Sequence, residues 1–126
     1  MYLSQARSNL RVAELALAER QPDPSASRSY YAAFHAAISA LSKLANYCSR
    51  GEQWGHDEIA AKFALILTLR QKVFGESLGE SLYDLMRRRH PADYKPESIS
   101  LKVAERCFSK AQHFVRSIEQ KLGDPS

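Results

Sequence analysis

A chain of 126 residues, 44% hydrophobic and 25% charged with five glycines and five prolines, is the size of one domain and too ordinary in composition to be disordered or fibrous. Its formal net charge of +4 suits a phosphate-bearing partner without requiring one. No apolar run of about 18 residues appears, the N-terminus is polar where a leader would be apolar, and Cys48 and Cys107 form no CxxC or Cys/His pattern. The expectation is one reduced, cytoplasmic domain over 1–126, with no membrane segment.

Apolar residues recur at helical intervals from end to end, and no alternating segment competes with them. Leu3, Ala6, Leu10, Ala13 and Leu17 step by three and four and predict a first helix with one apolar stripe. The run Gln-Pro-Asp-Pro-Ser at 21–25 ends it, because each proline lacks an N–H and disfavours helix just before it. A second helix, capped by Ser25 or Ser27, runs to about Asn46 with Tyr30, Phe34, Ala37, Leu41 and Leu44 facing the core.

Residues 48–55 read as a loop, and a third helix from about Asp57 to Val73 carries Ile59, Phe63, Ile66 and Leu67 or Leu69. Gly75 breaks it. A shorter fourth helix with Leu78, Leu82 and Leu85 ends in Arg87, Arg88, Arg89 and His90, followed by a loop over 91–96. The fifth helix has the clearest pattern, with Leu101, Ala104, Phe108, Ala111, Val115, Ile118 and Leu122 on one face, Pro96 suited to its first turn and Gly123 to its end. Five amphipathic helices joined by short loops specify an all-α, antiparallel, up-and-down bundle.

The second helix carries the chemistry. Arg28 and His35 are seven positions apart and so lie within roughly 20° of each other on one face. The stripe continues through Ser39, Ser42 and Asn46, away from the core residues. Its flank is small, with Ala32, Ala33, Ala36 and Ala40, and admits the close approach of another helix or subunit. An arginine can hold a phosphate bidentately while a histidine, ordinarily titrating near ~6.5, moves a proton, so the pair suits phosphodiester chemistry on RNA without a metal. The bland reading remains open, with Arg28 a surface residue of the first turn and His35 a solvated or interface residue.

Adjacent Tyr30 and Tyr31 point about 100° apart, which puts Tyr30 in the core and Tyr31 nearer the polar stripe, either stacking on a base or simply half-buried. The arginines at 87–89 are the densest positive charge, suited to phosphate or to a helix dipole. His35, His56, His90 and His113 are scattered, and no Cys, Asp or Glu spacing completes a metal site, so no metal and no cofactor are expected.

The segment Ser27-Arg-Ser-Tyr-Tyr-Ala-Ala-Phe-His-Ala-Ala resembles the signature of the HEPN (higher eukaryote and prokaryote nucleotide-binding) family. Gly55-His-Asp-Glu-Ile-Ala-Ala-Lys-Phe resembles the family's His-led third helix, and Arg89-His-Pro-Ala-Asp-Tyr its turn before the last helix. The ordered set is specific. An Arg followed at short distance by a His is not, since it occurs at Arg28/His35, Arg50/His56 and Arg106/His113.

The resemblance implies a homodimer whose Arg and His stripes share a cleft, with Arg28 on the scissile phosphate and His35 handling the proton. It implies a metal-independent endoribonuclease of a toxin–antitoxin pair, whose antitoxin is a minimal nucleotidyltransferase that covers the cleft or modifies a tyrosine such as Tyr31. His56 would lie at the cleft edge or make a local hydrogen bond, and Asp93 and Tyr94 would be mainly structural. Active members usually carry Asn, Asp or His after the Arg, where this chain has Ser29. The family also includes non-catalytic nucleotide-binding or protein-interaction modules, which stand as the alternative.

Overall fold

In the computed structural model, described over residues 2–45, 55–94 and 99–123 with the side chains of 56, 57, 70 and 88–94 excepted, the described residues form helices and no strand. The helices are α1 (Tyr2–Ala18), α2 (Pro22–Leu44), α3 (His56–Lys62), α4 (Glu76–Tyr94) and α5 (Leu101–Leu122). α3 continues without a break into a π-helical stretch, Phe63–Arg70.

The turn from α1 to α2 is tighter than the two prolines suggest. α1 stops because Arg20 takes a left-handed conformation with φ 59°. Arg20 N–H then donates to Leu17 O at 3.0 Å and Gln21 N–H to Ala16 O at 2.8 Å, the paired bonds of a Schellman motif with arginine where glycine is usual. Pro22 is already the first residue of α2, where a missing N–H costs nothing. The expected caps Ser25 and Ser27 therefore lie inside α2; Ser25 is fully buried and its hydroxyl donates to Ala13 O at 2.8 Å.

That bond also sets direction, joining the start of α2 to the end of α1 in an antiparallel pair. Asp23 accepts a 3.0 Å hydrogen bond from Ile99 N–H, so α2 and α5 begin at the same end of the bundle. Asp84 of α4 pairs with Lys110 of α5, and Arg7 of α1 with Glu119 of α5 at 2.6 Å. The four long helices thus alternate up and down, and α3 with its π stretch forms the link from α2 to α4.

The π geometry departs from the regular third helix expected. Gln71 N–H reaches back five residues to Ile66 O at 2.8 Å, and Val73 N–H six residues to Leu67 O at 2.8 Å. The wider turns keep Phe63 and Leu67 in the core at 0% exposure while turning Leu69 out at 53%. Phe63 stacks on Phe74 with centroids 5.5 Å apart and tilts against Phe114 at 5.1 Å, which ties the link to α5.

Boundaries of α4 and α5 also differ from the sequence reading. α4 extends through Pro91 to Tyr94, so the arginines at 87–89 sit inside it rather than in its last turn, and the helix-dipole explanation for them lapses. α5 opens at Leu101 rather than at Pro96, because Ser100 accepts from Val103 N–H at 3.1 Å and caps it; Gly123, with φ 75°, closes it as expected. The buried line of α5 is Ala104, Cys107, Ala111, Phe114, Val115 and Ile118, and Phe108 is only half-buried.

The core centres on α2, which touches each of the other four helices. Ala32, Ala33, Ala36 and Ala40 are all at 0% exposure, so the small-residue flank is consumed by packing within one chain and is not an open interface. Small side chains let helix axes approach closely, and α2 can be surrounded because it has little to push its neighbours away.

Candidate functional site along the open edge of helix α2

Three sides of α2 are packed among the described residues, and between its end turns most of its accessible side chains fall along one edge. Pro24 and Arg28 are exposed, and Tyr31, His35 and Ser42 are half-buried. Steps of four, three, four and seven keep these residues on one edge. Arg28 and His35 are on this line, and Tyr31 lies between them. Ser39, expected on the same stripe, is only 4% exposed and is corrected to a packing position. Asn46 lies outside the described residues.

Helix α1 supplies the wall that the sequence reading missed. Arg28 Nη1 donates to Asn9 Oδ1 at 3.3 Å, and Asn9 Nδ2 donates to Gln5 O at 2.9 Å, which fixes the amide with its oxygen toward the guanidinium. Seven residues earlier on α1, Tyr2 stacks on His35 with ring centroids 6.1 Å apart and planes 19° apart. Phe34 meets the same imidazole edge-on at 5.8 Å. In the register this antiparallel pair adopts, Tyr2 and Asn9 at seven-residue spacing face His35 and Arg28 at the same spacing. The signal was in the sequence, but reading it needed the register of the hairpin.

The two cationic-capable groups therefore sit about 10 Å apart along the helix axis on one edge, one reaching solvent and the other held between rings. Arg28 is exposed, so its bond to Asn9 positions the guanidinium without committing it. Tyr30 is buried at 1% and stacks on Phe34 at 5.9 Å, as expected of a core residue. Tyr31 is half-buried, its ring 5.3 Å from that of Tyr30.

Ser29, which occupies the position after the arginine, is fully buried, and its hydroxyl has no hydrogen-bond partner among the described residues. A larger polar residue there would have to displace packed neighbours. The position points into the bundle and not along the open edge.

The other expected residues are not gathered here. Arg87 is exposed on α4 and bonds to Asp84 Oδ1 at 3.4 Å. The side chains of Arg88, Arg89, His56, Asp93 and Tyr94 lie outside the described residues, although His56 is placed at the start of α3 and Asp93 and Tyr94 inside α4 rather than in a turn. Of the other Arg/His pairs, Arg106 and His113 are both exposed on α5, and Arg50 is outside the described residues. Among the described residues, no three His, Cys, Asp or Glu side chains come together as a metal site, and no helix is long and apolar enough to cross a membrane.

No curated protein matches the chain closely enough to count as a relative. The family model described as the HEPN domain does match, over residues 1–121 of the 126. With nearly the whole chain covered, and with the bundle, the central second helix and its Arg-Tyr-His edge in place, this protein belongs to the HEPN domain family.

Proposed function

We propose that this HEPN protein is a metal-independent endoribonuclease, acting as a homodimer in which the open edges of two α2 helices line one cleft. The carrying observation is that Arg28, Tyr31 and His35 share one edge of α2 that stays accessible among the described residues. Arg28 holds the scissile phosphate and stabilises the charge that builds on its oxygens. His35 takes the proton of the 2′-hydroxyl as its oxygen bonds to phosphorus. The bond to the 5′-oxygen breaks, a proton from the second protomer's imidazole reaches that leaving oxygen, and a 2′,3′-cyclic phosphate remains.

In this reading the toxin-like activity is held in check by a minimal nucleotidyltransferase antitoxin that covers the cleft or modifies it. In this reading Tyr31 is the tyrosine modified, because it shares the edge of Arg28 and His35 while its neighbour Tyr30 is buried at 1%. The test is RNA cleavage by purified protein in the presence of a chelator. Wild type should cut, and His35→Ala and Arg28→Ala should each lose about a hundredfold or more. Absence of cutting by wild type, or equal cutting by His35→Ala, removes the proposal.

One observation favours the alternative, a non-catalytic nucleotide-binding or protein-interaction module. His35 is packed between the rings of Tyr2 and Phe34, as a purely structural imidazole would be. Replacement of Tyr2 by Leu separates the two: an enzyme with a freer imidazole keeps cutting RNA, whereas a structural stack shows only a fall in stability.

A further inference from the structure

Helix α5 has a second side that faces out of the bundle, where among the described residues Lys110 alone of its cations pairs with another helix. Its five cationic residues, Lys102, Arg106, Lys110, Arg116 and Lys121, are all exposed, and they occupy one face that extends about 28 Å along the axis. Of its two carboxylates, Glu119 is turned inward to Arg7, which leaves Glu105 alone on the outside. Lys110 is engaged by Asp84. Among the described residues no carboxylate lies within ion-pair distance of Lys102, Arg106, Arg116 or Lys121. Packing does not explain this face, because the opposite side of α5 supplies all its buried residues.

Recesses flank the strip on both sides. Between α5 and α1 lies a cavity of about 580 Å³ bordered by Phe108, Gln112, Arg11 and Leu15, and between α5 and the start of α4 one of about 440 Å³ bordered by His113, Lys121 and Phe74. Leu15 is 59% exposed at the first of these. A row of cations that neutralises phosphates, beside an aromatic ring such as that of Phe108, is an arrangement by which proteins hold single-stranded nucleic acid.

We propose that the outer face of α5 is a second RNA-contacting surface. It holds the backbone of a single strand on Lys102, Arg106, Arg116 and Lys121 and takes a base into the α1–α5 recess over Phe108. The proposal rests on the reading that RNA is the substrate, but on different residues. α5 turns its apolar side to α2 and its basic side away, so this surface recruits long RNA and leaves the chemistry at α2 alone.

The experiment measures the affinity of the full chain for a 20-nucleotide single-stranded RNA against salt concentration, with cleavage followed in parallel. The triple variant Lys102→Glu, Arg106→Glu, Arg116→Glu should bind at least about tenfold more weakly and lose about 2 from the salt slope, since each single-strand phosphate contact contributes about 0.7. Phe108→Leu, which keeps apolar volume but removes the flat ring, should weaken binding about tenfold at unchanged slope. Against RNA of three or four nucleotides, the triple variant should cut like wild type.

A control variant with the same change of net charge at Arg20, Lys43 and Lys72 should bind like wild type. If it is weakened as much as the triple variant, overall charge explains the effect and the inference falls. If wild type cuts RNA but the triple variant binds it with unaltered affinity and slope, the inference falls and the catalytic reading stands. If RNA is held through α5 yet never cut, the catalytic reading falls and the inference stands.

Discussion

Helices α2 and α5 are almost equal in length, 23 and 22 residues, and pack against each other, yet they solve opposite problems. α2 packs its alanines and aromatics on three sides and keeps a narrow accessible edge through its middle. α5 is half core and half surface, with cations along its free side. A helix that is apolar nearly all round belongs in the middle of a fold, and one with a single apolar stripe belongs at its edge. The accessible polar groups of α2 are therefore confined to whatever the bundle does not cover, whereas the cations of α5 are spread over a broad face.

This contrast can be broken at its strongest point on α5. Phe114 is fully buried and tilts against Phe63, so Phe114→Ala should cost about 3–5 kcal/mol by removing an aromatic from a filled core. Chemical denaturation reads this directly, and a loss under 1 kcal/mol would mean that α5 is not anchored as described. On α2 the sensitive change is in the other direction. Ala36→Leu should destabilise by about 1–3 kcal/mol, because α2 is closed in and has no room for three more carbons. An unchanged or raised melting temperature would show that the alanine flank is looser than close packing requires.

The smallest effect sharpens the comparison. Arg116→Ala on the free side of α5 should alter stability by no more than about 0.5 kcal/mol, as expected of an exposed residue with no structural partner. A larger loss would assign that side a structural task and weaken its claim as a binding face.

Helix number, helix type and the apolar stripes were legible because periodicity is a local property. Leu78, Leu82 and Leu85 were read as core from spacing alone, and all three are buried. What failed was local chemistry that tertiary contacts redirected. Ser25 looks like a cap until α1 offers it the carbonyl of Ala13. Ser39 shares the angular stripe of His35, yet it is covered. The alanine flank reads equally well as an interface between subunits or within one, and spacing cannot tell which neighbour arrives first.

The candidate site divides in the same way. By itself the sequence determined that Arg28 and His35 share one edge of one helix, because seven residues make nearly two whole turns. It also determined the family resemblance, since Tyr-Tyr and Phe-His-Ala-Ala stand in their places. Only the tertiary structure decided that Tyr2 and Asn9 would form the opposite wall and that Ser29 would face inward. Those outcomes depend on the register of two antiparallel helices, which is fixed by side-chain packing between segments and not by the periodicity of either one.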